Sequence, residues 1–229
     1  GVRVRFPPLV PSCEIMETNI EKYLKRKDSL PVCIGMERSG STVAWQVASL
    51  ALGARPKKTH DYVSGKEDVI YTFRNPIECY ISLAGKFSDV YTAGLAKDHA
   101  LTRLHTHVET FKSLISDSKS GRSVLMMRYE DYYYNPEKRL LDILNFLKIN
   151  VTREEAARIL YETSIGRNLD LSRNMNFGDI DEMSQLHGGH INPKTFGEPL
   201  RSVSLYSDLH EIKNDPKLLE LCKTFGYKF

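Results

Sequence analysis

The chain has 229 residues, 41% of them hydrophobic, and a formal net charge of +3. That apolar content excludes a disordered chain, and one α/β domain over 1–229 is the expectation. The charge gives no argument for nucleic acid, and no apolar run approaches the roughly 18–20 residues of a membrane span.

Residues 1–12 are basic and proline-rich and read as an extended arm. The apolar run Pro31–Gly35 reads as a buried strand, followed by a helix from Ser41 to Leu52. Val69–Phe73 is a second buried strand. It ends at Arg74-Asn75-Pro76, where Asn75 reads as an N-cap, Pro76 as the first helical residue and Glu78 as the far end of a capping box. That helix should reach about Lys86. Lys97–Ser118 has the period of a long amphipathic helix, in which His105 and His107 read as solvated or packed side chains. Ser123–Met127 is a third buried strand. Tyr132-Tyr133-Tyr134 reads as a connection with one ring buried. Asn135-Pro136 opens another helix, and Thr152 with Glu155 caps one reaching about Tyr161. Residues 166–210 read as irregular, and Pro216–Phe225 as a last helix.

Alternating strands and helices predict a three-layer α/β fold with a mostly parallel central sheet flanked by helices. Cys13, Cys33, Cys79 and Cys222 have no CxxC spacing and suit a reducing, cytoplasmic compartment. His187 and His190 are too few for a metal site, and no metal is expected.

Gly35 and Gly40 have the spacing of a Walker loop, GxxxxGK[ST], with Thr42 at the last position. Ser41 stands where the Walker lysine belongs, and the cation has moved to Arg38. A backbone cradle with one cation suits a nucleotide 5′-phosphate that lacks a γ-phosphate.

Glu37-Arg-Ser-Gly-Ser-Thr42 resembles the 5′-phosphosulfate loop of the sulfotransferase family. Lys57-Lys-Thr-His60 resembles that family's Lys-Thr-His segment. Val69–Arg74 running on to Ser82 resembles its 3′-phosphate motif. Met127-Arg-Tyr129-Glu-Asp131, with Asn135-Pro136 and Phe146-Leu147, resembles its Tyr-Glu-Asp strand end and Phe-Leu helix. Glu162-Thr163-Ser164-Ile165 is similar to the stretch beside adenine. The late Arg-Lys-Gly loop has no direct counterpart, and His187-Gly188-Gly189-His190 stands at about that place.

The resemblance implies a P-loop NTPase-like sulfotransferase fold. It also implies transfer of a sulfuryl group from PAPS to a hydroxyl or amine of a small molecule or carbohydrate, releasing PAP. The site it implies has backbone N–H groups of Arg38, Ser39, Gly40, Ser41 and Thr42 on the 5′-phosphosulfate, with Glu37 and Val43 at the loop's edges. Arg38 and Lys58 neutralise the leaving oxygen, and His60 is the general base, with Asp61 or Glu37 as alternatives. Arg74 and Ser82 take the 3′-phosphate. Tyr129, Thr163, Ile165, Gly188 and Gly189 complete the nucleotide contacts. A P-loop kinase of a small metabolite and a non-catalytic nucleotide-binding protein are the competing readings.

Overall fold

The computed structural model describes residues 17–87, 93–176, 179–188 and 214–228. The predicted arm at 1–12 lies outside them, as do Cys13, Gly189 and His190. The described chain opens with helix α1 (Asn19–Leu24), capped by Thr18 and Glu21 in a reciprocal capping box. Strand β1 (Val32–Gly35) leads into α2 (Ser41–Leu52), then β2 (Lys57–Thr59) and β3 (Val69–Phe73). Helices α3 (Pro76–Phe87) and α4 (Ala93–Lys119) follow, then β4 (Val124–Arg128). The short α5 (Tyr129–Tyr132), α6 (Pro136–Leu147), α7 (Arg153–Glu162) and α8 (Ile165–Arg173) come next. A ribbon of β5 (Ile180–Asp181) and β6 (Leu186–His187) precedes α9 (Pro216–Thr224).

Strands β1 to β4 form one sheet in the order β2-β1-β3-β4, and every pairing in it is parallel. Side chains alternate between its faces. Val32, Ile34, Val69 and Tyr71 join a core with α3, α4 and α9. Cys33, Ile70 and Met127 join a second core with α1, α2, α6 and α7. Both faces are covered, as a parallel sheet requires. The predicted three-layer architecture is therefore present.

One strand was not foreseen, and two local expectations need correction. Lys57–Thr59 is a strand, paired with β1 through Val32, Cys33 and Ile34. Its polar composition concealed it, and only its place at the sheet edge makes it tolerable. The region from 166 is not uniformly irregular: α8 starts there behind a Ser164 cap, and the β5–β6 ribbon follows. Glu78 does not complete a capping box. Asn75 Oδ1 does accept from the Ile77 N–H, but the Asn75 N–H goes to Glu130. The Glu78 carboxylate is held by Arg74 instead, because a charged guanidinium outcompetes a backbone amide. By contrast, the Thr152–Glu155 box and the Asn135 cap form as the sequence predicts.

The chain crosses from β1 to β2 on one side and returns to β3 on the other. A crevice therefore opens at the carboxyl ends of β1 and β3, where such sheets place ligands. Among the described residues no helix is long and apolar enough to cross a membrane.

Candidate active site

The turn after β1 is built on two left-handed residues, Arg38 at φ 64° and Gly40 at φ 77°. For a side-chain-bearing residue that conformation costs roughly 1–2 kcal/mol, a strain that clusters at functional sites. The Ser39 hydroxyl offsets it by pinning the turn to the sheet, at 2.6 Å from the Met36 carbonyl and 2.8 Å from Thr72 Oγ1. Tyr132 closes over the loop by donating to the Ser39 carbonyl at 2.6 Å. Tyr133 packs against Gly40, so two rings of the tyrosine run are buried rather than one. Among the described residues the N–H groups of Gly40, Ser41 and Thr42 have no protein acceptor. They stand together at the start of α2, where the helix dipole favours an anion.

The cradle is smaller than expected. The Ser39 N–H is used on Met36 O and the Val43 N–H on Gly40 O. The Ser39 side chain is wholly buried, and Val43 packs into the core on the α2 side of the sheet.

Lys58 and His60 leave β2 beside this turn. Lys58 Nζ donates to Thr42 Oγ1 at 2.7 Å. Burial brings its ammonium down from 10.5 to about 8. His60 Nδ1 is 2.6 Å from the Gly35 carbonyl. A carbonyl only accepts, so Nδ1 carries the proton and neutral His60 presents a bare Nε2. Burial lowers its affinity for a proton, and the nearby Glu37 charge pulls the other way. Asp61 is exposed.

Glu37 points away from the loop toward α4. Its carboxylate accepts from His107 Nε2 at 2.7 Å and meets the Arg103 guanidinium at 2.6 Å. Burial alone would raise this carboxyl, but the His107 hydrogen bond and charge, with His60 and Arg103, hold it at about 2. Glu37 is thus a weak proton acceptor. Glu37, His60 and His107 each offer an atom within 4.8 Å of the others, a spacing compatible with a metal ion. The guanidinium already on that carboxylate opposes a dication there.

The second junction lies against the first. Arg38 Nε donates to Ser82 Oγ at 2.8 Å. Arg74 donates to the Arg38 carbonyl at 3.3 Å and grips Glu78 through two nitrogens, at 2.5 and 2.9 Å. The Arg74 guanidinium also sits 4.1 Å from the Tyr129 ring centre. Tyr129 is accordingly buried beneath Arg74 and serves as its platform.

Three predicted contact residues are turned elsewhere. The Thr163 hydroxyl is wholly buried and donates to the Ile159 carbonyl, while Ile165 is half-buried against the core on the α2 side of the sheet. Gly188 gives its N–H to Asp179 O, and a Cβ there would lie 1.9 Å from the Asn176 carbonyl. It fastens the ribbon and does not line the site.

The loop and the end of β2 enclose one side of a cavity of about 200 Å³. Arg38, Thr42, Lys58 and His60 face into it, and Ile180, Gln185 and His187 of the ribbon close the opposite side. The sequence reading missed His107 and the ribbon wall. A signal for His107 exists: it falls on the apolar stripe Ala100, Leu104, Val108 and Leu114, and a histidine buried there demands a polar partner.

A parallel sheet whose first strand turns through a GxxxxGxT loop into a helix defines an α/β protein of the phosphate-loop class. Residues 55–167 match the sulfotransferase domain family. Mouse sulfotransferase SULT7A1 complexed with PAP superposes with a TM-score of 0.51 at 18% identity, over 89% of this chain and 94% of that one. No curated protein sequence matches. Over residues 55–167 the chain is thus similar to the sulfotransferase domain family, and it shares its fold with the mouse enzyme.

Proposed function

We propose that the protein transfers a sulfuryl group from PAPS to a hydroxyl or amine of a small molecule or carbohydrate and releases PAP. One observation carries this reading. Lys58 Nζ, the bare Nε2 of His60 and the open amides of Gly40, Ser41 and Thr42 meet at one cavity. Ser41, where a triphosphate site needs lysine, has no amino group to offer. The match of residues 55–167 to the sulfotransferase domain family and the PAP in the mouse structure support the choice of donor.

The donor, when bound, supplies a sulfuryl group on a phosphate leaving group. The loop amides would hold its 5′ end, and Arg38 and Lys58 would balance the charge on the departing oxygen. The acceptor oxygen bonds to sulfur as the bridging sulfur–oxygen bond breaks, and the electron pair leaves on the phosphate oxygen. His60 Nε2 takes the acceptor proton. Arg38 Nε bound to Ser82 ties the 5′ loop to the 3′-phosphate pair. Ser82 Oγ accepts there, so its own proton can go to a phosphate oxygen. Cys33, Cys79 and Cys222 are buried free thiols, which supports a reducing compartment such as the cytoplasm.

PAP should raise the melting temperature, and ATP with Mg²⁺ should not. Stabilisation by ATP–Mg²⁺ alone would sink the donor assignment in favour of a kinase. Arg74→Ala should weaken PAP about 10–100-fold, the scale of a lost charge-assisted hydrogen bond. Adenosine 5′-phosphosulfate, which lacks the 3′-phosphate, should bind this variant nearly as well as the parent. Equal losses for both ligands, measured by calorimetry, would confine Arg74 to its Glu78 and Tyr129 contacts.

A further inference from the structure

We propose that Glu37, clamped by His107 and Arg103 of α4, is a positioning residue that holds a counter-charge beside His60 for the moment when its imidazole takes up the acceptor proton. The inference rests on the reading of His60 as the base.

The phosphate loop gives Glu37 no ligand role. Glu37 borders the cavity but is only 7% exposed, and its carboxylate is held by α4. A buried carboxylate is costly unless both oxygens are engaged. One accepts from His107 Nε2 and the other meets Arg103, so the charge is fixed in position. His107 is in turn wholly buried, with the Tyr71 hydroxyl 3.4 Å from its Nδ1. The assembly therefore cannot swing toward a phosphate without breaking two contacts.

What the carboxylate does face is His60. A ring nitrogen of His60 lies within 4.8 Å of it. The Gly35 carbonyl at 2.6 Å stops the ring from turning away. The charged or titratable groups around His60 are Lys58 on β2, the exposed Asp61 next in the chain, Arg38 and Glu37 on the loop, His107 and Arg103 on α4, and His187 across the cavity. Glu37 is the buried anion in that set. Without it, an imidazolium would form with cations as its buried neighbours, where protonation is disfavoured by both burial and charge. Arg103 tunes the same carboxylate from the outside, because its side chain is 44% exposed.

Glu37 and Arg103 should therefore push His60 in opposite directions. The test is a carbon-detected NMR titration of the His60 ring in the full chain, assigned with His60→Gln. In Glu37→Gln the midpoint should fall by about one pH unit, and in Arg103→Gln it should rise by about half a unit. Transfer by Glu37→Gln should have a kcat about tenfold lower, with PAP affinity within about twofold of the parent. Glu37→Asp should restore part of both changes.

Midpoints that stay put, or that move the same way in both variants, overturn the proposal. So does a kcat unchanged in Glu37→Gln. If Glu37→Gln fails to fold, Arg103→Gln decides alone, and a midpoint that does not rise overturns it. The titration needs no substrate, so it separates this inference from the donor assignment. A parent protein that transfers nothing from PAPS refutes the transferase reading, whatever the midpoints do.

Discussion

Replacing His60 with alanine is expected to lower sulfuryl transfer by about 10²-fold or more, the scale of a lost acid–base group, with PAP affinity nearly unchanged. The reason is geometric. The Gly35 carbonyl commits the Nδ1 proton, and Nε2 opens on the cavity with no further structural duty. Single-turnover transfer and PAP calorimetry on the same preparation separate chemistry from binding. Full transfer by the variant would remove His60 from the mechanism. The pH profile of the parent should carry the same information. Activity should rise as His60 loses its proton, then fall as Lys58 discharges near its lowered value of about 8. Stability should move the other way on the alkaline side. The folded state binds the Lys58 proton less tightly than the unfolded chain does, so this cost is full below about pH 8. It fades as pH rises toward the ordinary 10.5.

Gly35→Ala should damage both fold and function. A Cβ there would lie 2.3 Å from Ser41 Cβ and 2.5 Å from Thr72 Oγ1. Neither neighbour can retreat, because Ser41 starts α2 and Thr72 is inside β3. Overpacking of this kind costs about 1–3 kcal/mol, which for a chain of this size lowers Tm by about 3–10 °C. The displaced turn also carries the cradle amides and the carbonyl that orients His60, so PAP affinity should drop by about tenfold or more. Gly53→Ala is the control. Gly53 ends α2 at a positive φ of 70°, a conformation that Gly35 does not share, and nothing lies within 4 Å of the added carbon. It should cost only about 1 kcal/mol, with PAP binding retained. If the Gly35 and Gly53 variants behave alike, the close approach at Gly35 is not what shapes the loop.

The residues proposed for the donor were recognisable in the sequence because they are local. Gly35, Arg38, Gly40 and Thr42 share one turn, and His60 directly follows the short strand that carries Lys58. The two turns come together because β1 and β3 are neighbours in the sheet. The rest is non-local. Glu37 and His107 are 70 residues apart, and no spacing rule joins a strand end to the middle of a helix. The two-residue strands of the ribbon are too short to show a period. The backbone offered by residues 38–42 was overestimated for a different reason: a motif marks which residues form a turn, not which of its N–H groups the turn consumes itself.

The β5–β6 ribbon pairs only with itself among the described residues and stands outside the four-stranded sheet. The residues proposed for the donor ride on that sheet and the helices that follow its strands, whereas Ile180, Gln185 and His187 ride on the ribbon. Exchange of those three side chains leaves the phosphate cradle, Lys58 and His60 in place. Evolution, or an engineer, can thus change what the cavity admits while retaining the machinery that activates it.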